Sequence, residues 1–249
     1  MASRAAAAGI DRMSPVKTQG TLALLGGGEW TEPYRALDTE MRERAGTPEV
    51  LVLPTAAAFE HPDRVVDRAT AWFGELGGAV RGLPVLNRRD AEADDNVAAV
   101  REAHFIYLAD GSPLHLRSVL KGSALYAALV QAYERGAVVA ASGAGATVLC
   151  DPMVDPRGGA YTVGLALVQG LAIFPYHGTA ADHIRERSID LLPPDAVLVG
   201  LDEGTGLVRG GEGVWEVAGT GRVTVYRRGT KAKTAKPGAT LDLTQPASR

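Results

Sequence analysis

From Thr21 onward the chain alternates short apolar runs with longer amphipathic segments. This alternation constrains the fold more than any other feature, because strands joined by crossover helices assemble into a parallel sheet covered on both faces. The runs Thr21 to Leu25, Glu49 to Leu53, Ala79 to Leu83, His104 to Leu108 and Val138 to Ala141 predict strands. Between them, Pro33 to Ala45, Pro62 to Leu76, Ala91 to Glu102, and Pro113 to Arg135 with a break at Gly122 predict helices. Their apolar residues fall three or four apart, as in Val65, Val66, Ala69, Trp72, Phe73 and Leu76, the spacing of a helix with one buried face. The first 150 residues therefore predict a doubly wound α/β sheet.

After Cys150 the rhythm changes. Asp151 to Gly159, DPMVDPRGG, reads as an irregular loop, followed by short strands at Ala160 to Val163 and Leu171 to Phe174, a helix from Ala180 to Leu192 and a strand from Val197 to Leu201. The stretch GLVRGGEGVWEVAGTGRVTVYRRG has period-2 alternation broken by glycine pairs, which predicts antiparallel hairpins at one sheet edge. Residues 1–19 and 229–249 show no period and are expected to be flexible tails. The remainder, 20–228, is expected to be a single α/β domain, for which 249 residues at 46% hydrophobic supply an adequate core.

The charges nearly cancel, 26 basic against 29 acidic, and no basic stripe with interleaved aromatics is present. Nucleic acid is therefore not expected as a partner, and a small-molecule or peptide-like ligand is. A single cysteine, Cys150, excludes an internal disulfide and fits a reducing compartment; following Val148 and Leu149, it reads as a buried structural thiol. No apolar run reaches the roughly 18 residues of a membrane span, and the AAAAG near the start is too short for a signal-peptide core. The expectation is a cytoplasmic protein, with a homodimer left open. The five histidines form no HxxxH or Cys/His cluster, so neither a metal nor another cofactor is expected.

Open α/β sheets place their sites in loops at the carboxyl ends of the strands. Four such loops stand out. Gly26 to Trp30, GGGEW, reads as a tight turn. Asp110 to Pro113, DGSP, offers Ser112 as N-cap and Pro113 as first helical residue. There Gly111 has an N–H to present to an oxyanion, and Asp110 is either a solvated loop acid or functional. Gly136 to Cys150, GAVVAASGAGATVLC, reads as strand, sharp turn and helix, the geometry of a nucleophile elbow, with Ser142 at the apex or one place before it. Pro175 to Thr179, PYHGT, sets His177 at a strand end, where it is better placed for chemistry than His61 or His104; His115 and His183 lie within predicted helices.

The segments YLADGSPLHLRSVL, ASGAGATVLCDPMVDPRGGAYTVGLAL, FPYHG and VGLDEGTGLV, in this order, resemble the serine-peptidase family of aspartyl dipeptidase (dipeptidase E) and cyanophycinase. That family has the class I glutamine-amidotransferase-like fold, and the resemblance runs from about Thr21 to Gly229. It implies a serine nucleophile in a SAGA turn, a histidine base in a PHY segment, and an oxyanion hole made by N–H groups of a Gly-Gly turn and of the residue after the serine. Aligned without gaps, those positions hold Gly143, Tyr176 and, for the first glycine of the turn, Asp110; Gly111 and Ala144 match the oxyanion-hole backbone, and within DPMVDPRGG Asp151 and Asp155 are candidates for the acid partner of a base.

Three functions follow from these departures. The first is a serine peptidase using Ser142 and His177, each shifted by one residue. The second is a repurposed enzyme without a covalent intermediate, in which Asp110, Tyr176 and His177 carry out acid and base steps on a small molecule. The third is a ligand-binding protein that keeps the pocket without turnover.

Overall fold

A computed structural model of the chain describes residues 19–210 and 214–243. The main sheet has eight strands. β1 (Leu22–Leu25), β2 (Glu49–Leu53), β3 (Ala79–Gly82), β4 (Phe105–Leu108) and β5 (Val138–Ser142) are mutually parallel, in spatial order β3-β2-β4-β5-β1. Apart from the edge strand β3, their residues are almost all buried on both sides, the reason these strands read as continuous apolar runs rather than alternating ones. Successive residues enter opposite cores: Leu22 and Leu24 join one, Ala23 and Leu25 the other.

Helices cover the two faces. α1 (Arg35–Ala45) and α2 (Pro62–Glu75) bury Leu37, Met41, Ala69 and Phe73 against one face. α3 (Asp94–Glu102), α4 (Pro113–Leu120), α5 (Ala124–Glu134) and α6 (Ala144–Leu149) cover the other. The predicted breaks hold on local grounds: Ser112 Oγ accepts the His115 N–H at the start of α4, and Gly122 takes φ 67° before α5. Residues 33–34 and 91–92, expected to belong to α1 and α3, instead lie in short 3-10 turns before them, Glu32–Tyr34 and Asp90–Glu92.

The second half departs further from expectation. Within the segment read as irregular loop, short strands form at β6 (Cys150–Asp151), pairing with β9 (Val168–Gln169), and at β7 (Met153–Val154), pairing with β8 (Tyr161–Thr162). A separate four-stranded sheet contains β10 (Leu171–Phe174) and β11 (Val197–Leu201), with α7 (Asp182–Asp190) between them in sequence. The antiparallel strands do not share one edge as predicted. β12 (Thr205–Arg209) and β13 (Trp215–Gly219) extend the main sheet beyond β1, whereas β14 (Val223–Tyr226) pairs with β11 in the second sheet. The region expected to be a C-terminal tail supplies β15 (Lys233–Ala235), paired with β14, and β16 (Thr240–Leu241), paired with β13. Backbone pairing to exposed strand edges orders it without help from an apolar pattern. Residues 1–18, most of the expected N-terminal tail, and 244–249 lie outside the described residues.

Candidate active site

The carboxyl ends of β1, β4, β5 and β10 converge. The chain leaves β5 at Ser142 and turns at Gly143, whose φ of 47° and ψ of −102° lie where side-chain-bearing residues seldom go, before α6 begins. Gly143 is therefore the apex of the elbow. Ser142 is the last strand residue, fully buried, and its Oγ donates to Glu29 Oε2 at 2.8 Å. Of the two places left open for Ser142, the apex or one before it, the structure has it one before: that step back along the strand turns its side chain into the protein.

Asp110 fills the space above the apex. Its Oδ1 accepts the backbone N–H groups of Gly111 and Ala144, each at 2.7 Å, and its Oδ2 accepts a short hydrogen bond from the Tyr176 hydroxyl. A Cβ added at Gly143 would lie 2.2 Å from Asp110 Cγ. Tyr176 takes a positive φ of 53°, its N–H bonds to the Gly26 carbonyl at 2.8 Å, and its hydroxyl accepts the Gly28 N–H at 3.3 Å. The GGGEW turn is shaped for this ring, because a Cβ at Gly27 would fall 2.3 Å from Tyr176 Cζ. Burial, and then the hydrogen bond to Asp110, push the Tyr176 phenol well above its ordinary pKa, so it stays protonated.

Glu29 is the residue the sequence did not disclose. It lies within the turn after β1, 6% exposed, and its Oε1 accepts the Asp110 N–H at 3.2 Å. Burial first, and the Asp110 charge second, raise its pKa; the Ser142 hydrogen bond works against them. Its cationic neighbour is Arg68, whose guanidinium is 3.8 Å away and 63% exposed. A carboxyl among glycines at a strand end was the available signal, but the same residues make an ordinary turn.

His177 goes elsewhere. Its ring packs over Gly200, with Nδ1 3.5 Å from Asp202 Oδ1 and Nε2 2.8 Å from the Tyr226 hydroxyl, both carried by the second sheet. Burial lowers its pKa, with Asp202 opposing. The structure thus unites Asp110, Gly111, Gly143, Ala144 and Tyr176, joins Ser142 to them through Glu29, and holds His177 against Asp202 and Tyr226 instead. Neither acid expected to support a base does so: Asp151 Oδ1 accepts the Gly164 N–H, and Asp155 pairs with Arg157. Cys150 is fully buried at the start of β6 rather than on a helix, and burial drives its thiol pKa up. Among the described residues no cluster of three or more His, Cys, Asp or Glu is arranged to hold a metal ion, and no helix is long and apolar enough to cross a membrane.

Asp110, Gly111 and Tyr176 form a bar between two cavities. One, of about 360 Å³, is largely apolar, with Val154, Phe174 and Ile184 in its wall. The other, of about 440 Å³, is polar and lined by Glu29, His61, Arg64 and Arg68. A larger depression of about 680 Å³ around Asp151, Tyr161 and Asp195 shares none of these residues.

Comparison with known proteins agrees with this architecture. The model of peptidase family S51 matches residues 22–217. The chain is 28% identical over 222 residues to a cyanophycinase of Synechococcus elongatus, covering 83% of this chain and 68% of that one. It is 24% identical over 229 residues to a peptidase E of Citrobacter koseri, covering 84% and 92%. Among solved structures, a peptidase from an acI-B1 actinobacterium superposes with a TM-score of 0.82 at 27% identity, over 91% of this chain and 98% of that one. A putative peptidase E from Listeria monocytogenes, at 15% identity and a TM-score of 0.60 over 88% and 98%, shares the fold.

Proposed function

Because the chain belongs to peptidase family S51, we propose that it keeps that family's site architecture without covalent serine chemistry. Asp110 would then serve as acid and base in a non-covalent reaction on a small molecule, such as a cyclisation, elimination or isomerisation. One observation carries the reading: the Asp110 carboxylate occupies both the volume that a side chain at Gly143 would need and the two N–H groups that would hold an oxyanion. Negative charge developing in that place would be repelled rather than stabilised. Of the carboxylate's lone pairs, Oδ1 commits two to Gly111 and Ala144 and Oδ2 one to Tyr176, leaving one on Oδ2 for a ligand proton. The group placed there is neutral or protonated, and the protein acts in the cytoplasm.

Two assays test this. Neither Asp-Xaa dipeptides nor cyanophycin-like polymers should be cleaved, and Gly143→Ser alone should stay roughly 10⁴ to 10⁶ below a complete triad, because Tyr176 cannot accept a proton near neutrality as a histidine does. Labelling by a fluorophosphonate that disappears in Ser142→Ala would overturn the proposal. On a substrate identified by metabolite capture, Asp110→Asn should stay folded and lose about 10² to 10⁴ in kcat. The commitment of three of the four lone pairs also supports a second reading, a binding protein without turnover. Recovery of the captured metabolite unchanged after prolonged incubation would favour it.

A further inference from the structure

The polar cavity contains two guanidinium groups that the acid and base reading does not use. Arg64 and Arg68 stand one helical turn apart on the exposed side of α2, both in the wall that ends at Asp110 and Tyr176. Arg68 stacks over the Trp30 ring at 5.5 Å and lies 3.8 Å from Glu29, and among the described residues no hydrogen bond or ion pair competes for the Arg64 guanidinium. His61, which precedes α2, holds a strained φ of 57° at the same wall; non-glycine residues in this conformation concentrate at ligand sites. Three carboxyl groups share the space: Asp110, exposed Glu60, and Glu29, whose ionisation burial opposes.

We propose that the site recognises an apolar α-amino acid, or a small derivative keeping its amine and carboxylate, held at three points. Its carboxylate would meet Arg64 and Arg68, its protonated amine the free lone pair of Asp110 Oδ2, and its side chain the cavity of Val154, Phe174 and Ile184. The inference rests on the assignment of Asp110 as the group that meets the ligand. The geometry favours three points because Asp110 and Tyr176 belong to the walls of both cavities, so a molecule seated at the bar faces the arginine-lined cavity on one side and the apolar cavity on the other. Cavities of about 360 and 440 Å³ fall in the range of small-ligand sites, roughly 300 to 1,000 Å³. Guanidinium groups suit a carboxylate because their paired N–H donors match its two oxygens. An acidic side chain would find no cation in the apolar cavity, which sets this specificity apart from one for aspartyl substrates.

The test is calorimetric titration of the full chain with L-phenylalanine and three probes each lacking one point: phenethylamine, 3-phenylpropionate and L-alanine. L-phenylalanine should bind at least about tenfold more tightly than each of the others. In Arg64→Gln/Arg68→Gln its affinity should fall to that of phenethylamine, with phenethylamine itself unchanged. Both arginines are exposed, so folding should be retained. In Asp110→Asn the advantage over 3-phenylpropionate should vanish. Equal loss for L-phenylalanine and phenethylamine in the arginine variant would overturn the carboxylate subsite, as would no heat from any probe at about 1 mM. Arginine dependence without Asp110 dependence would instead remove the acid and base assignment and leave the subsite standing.

Discussion

Tyr176 and His177 are adjacent in the chain and belong to different clusters. Tyr176 turns toward Asp110 and the two cavities, whereas His177 turns toward Asp202 and Tyr226 on the second sheet. Ser142 and Gly143 repeat the contrast on β5: one side chain is buried against Glu29, and the other position forms the apex. In both pairs a shift of one residue exchanges one environment for another: on β5 the alternation of extended chain turns Ser142 inward, and at Tyr176 the left-handed φ of 53° turns the backbone between the two rings. A serine and a histidine one residue away from the family positions therefore have different partners, Glu29 for Ser142 and Tyr226 for His177. The two clusters also differ in what they do with charge. The Asp110 cluster brings carboxyl groups together and satisfies them with backbone N–H groups, while the His177 cluster pairs a base with an acid.

If the clusters are separate, their perturbations should be independent, and the largest test is steric. Gly143→Ala places a Cβ 2.2 Å from the Asp110 carboxylate at a positive φ and should cost about 2 to 4 kcal/mol. Gly200→Ala, whose Cβ would meet His177 Cδ2 at 2.2 Å, should cost about 1 to 3 kcal/mol. Asp110→Gly should recover at least about 1 kcal/mol in the first variant and less than about 0.5 kcal/mol in the second. Denaturant unfolding of the single and double variants measures both couplings, and equal recovery in the two would merge the clusters into one.

The pH dependence of stability should then separate them by sign. His177 has a lowered folded-state pKa, so the unfolded chain binds the extra proton, and stability is lost as pH falls below about 6.5 and on through the folded pKa. Glu29 has a raised one, so the folded state holds the extra proton, and its contribution is lost as pH rises above about 4.5 and on through the folded pKa. Thermal melts across this range should show His177→Asn flattening the loss on the acid side and Glu29→Gln flattening the loss on the alkaline side. Both substitutions acting on the same limb would contradict the assignment.

The smallest effect concerns the two phenols. Tyr226→Phe removes one hydrogen bond at the half-buried His177 and should cost about 0.5 to 1.5 kcal/mol with no change in ligand binding. Tyr176→Phe removes a donor to a carboxylate and should cost somewhat more, about 1.5 to 3 kcal/mol, and should weaken binding of amine-bearing ligands by loosening Asp110. Identical binding by the two variants would deny Tyr176 its part in the site.

The first half of the fold was legible because both of its periodicities are local. Strands buried on both faces appear as apolar runs, helices with one buried face repeat every three or four residues, and Ser112 and Gly122 mark helix ends through their own backbone chemistry. The two-residue strands β6 to β9 and the pairing of β15 and β16 are too short to carry any period. They form because an edge elsewhere in the protein supplies the partner. The division of the C-terminal strands between two sheets escaped for the same reason, since alternation in β12, β13 and β14 reports a half-buried face without saying which sheet provides the neighbour.

The sequence by itself determined the α/β architecture, the family resemblance and which residue types stand at the turn positions: an acid at 110, a glycine at 143, a phenol at 176. Tertiary structure decided what those residues do together. Only the convergence of four strand ends puts the Asp110 carboxylate onto the Ala144 N–H group, draws Glu29 beneath it, and sends His177 to the other sheet. The physical reason is range: caps, turns and periodicity depend on residues a few places apart, whereas these hydrogen bonds and the desolvation of Glu29 join residues 34 to 113 places apart, whose distances the fold alone sets.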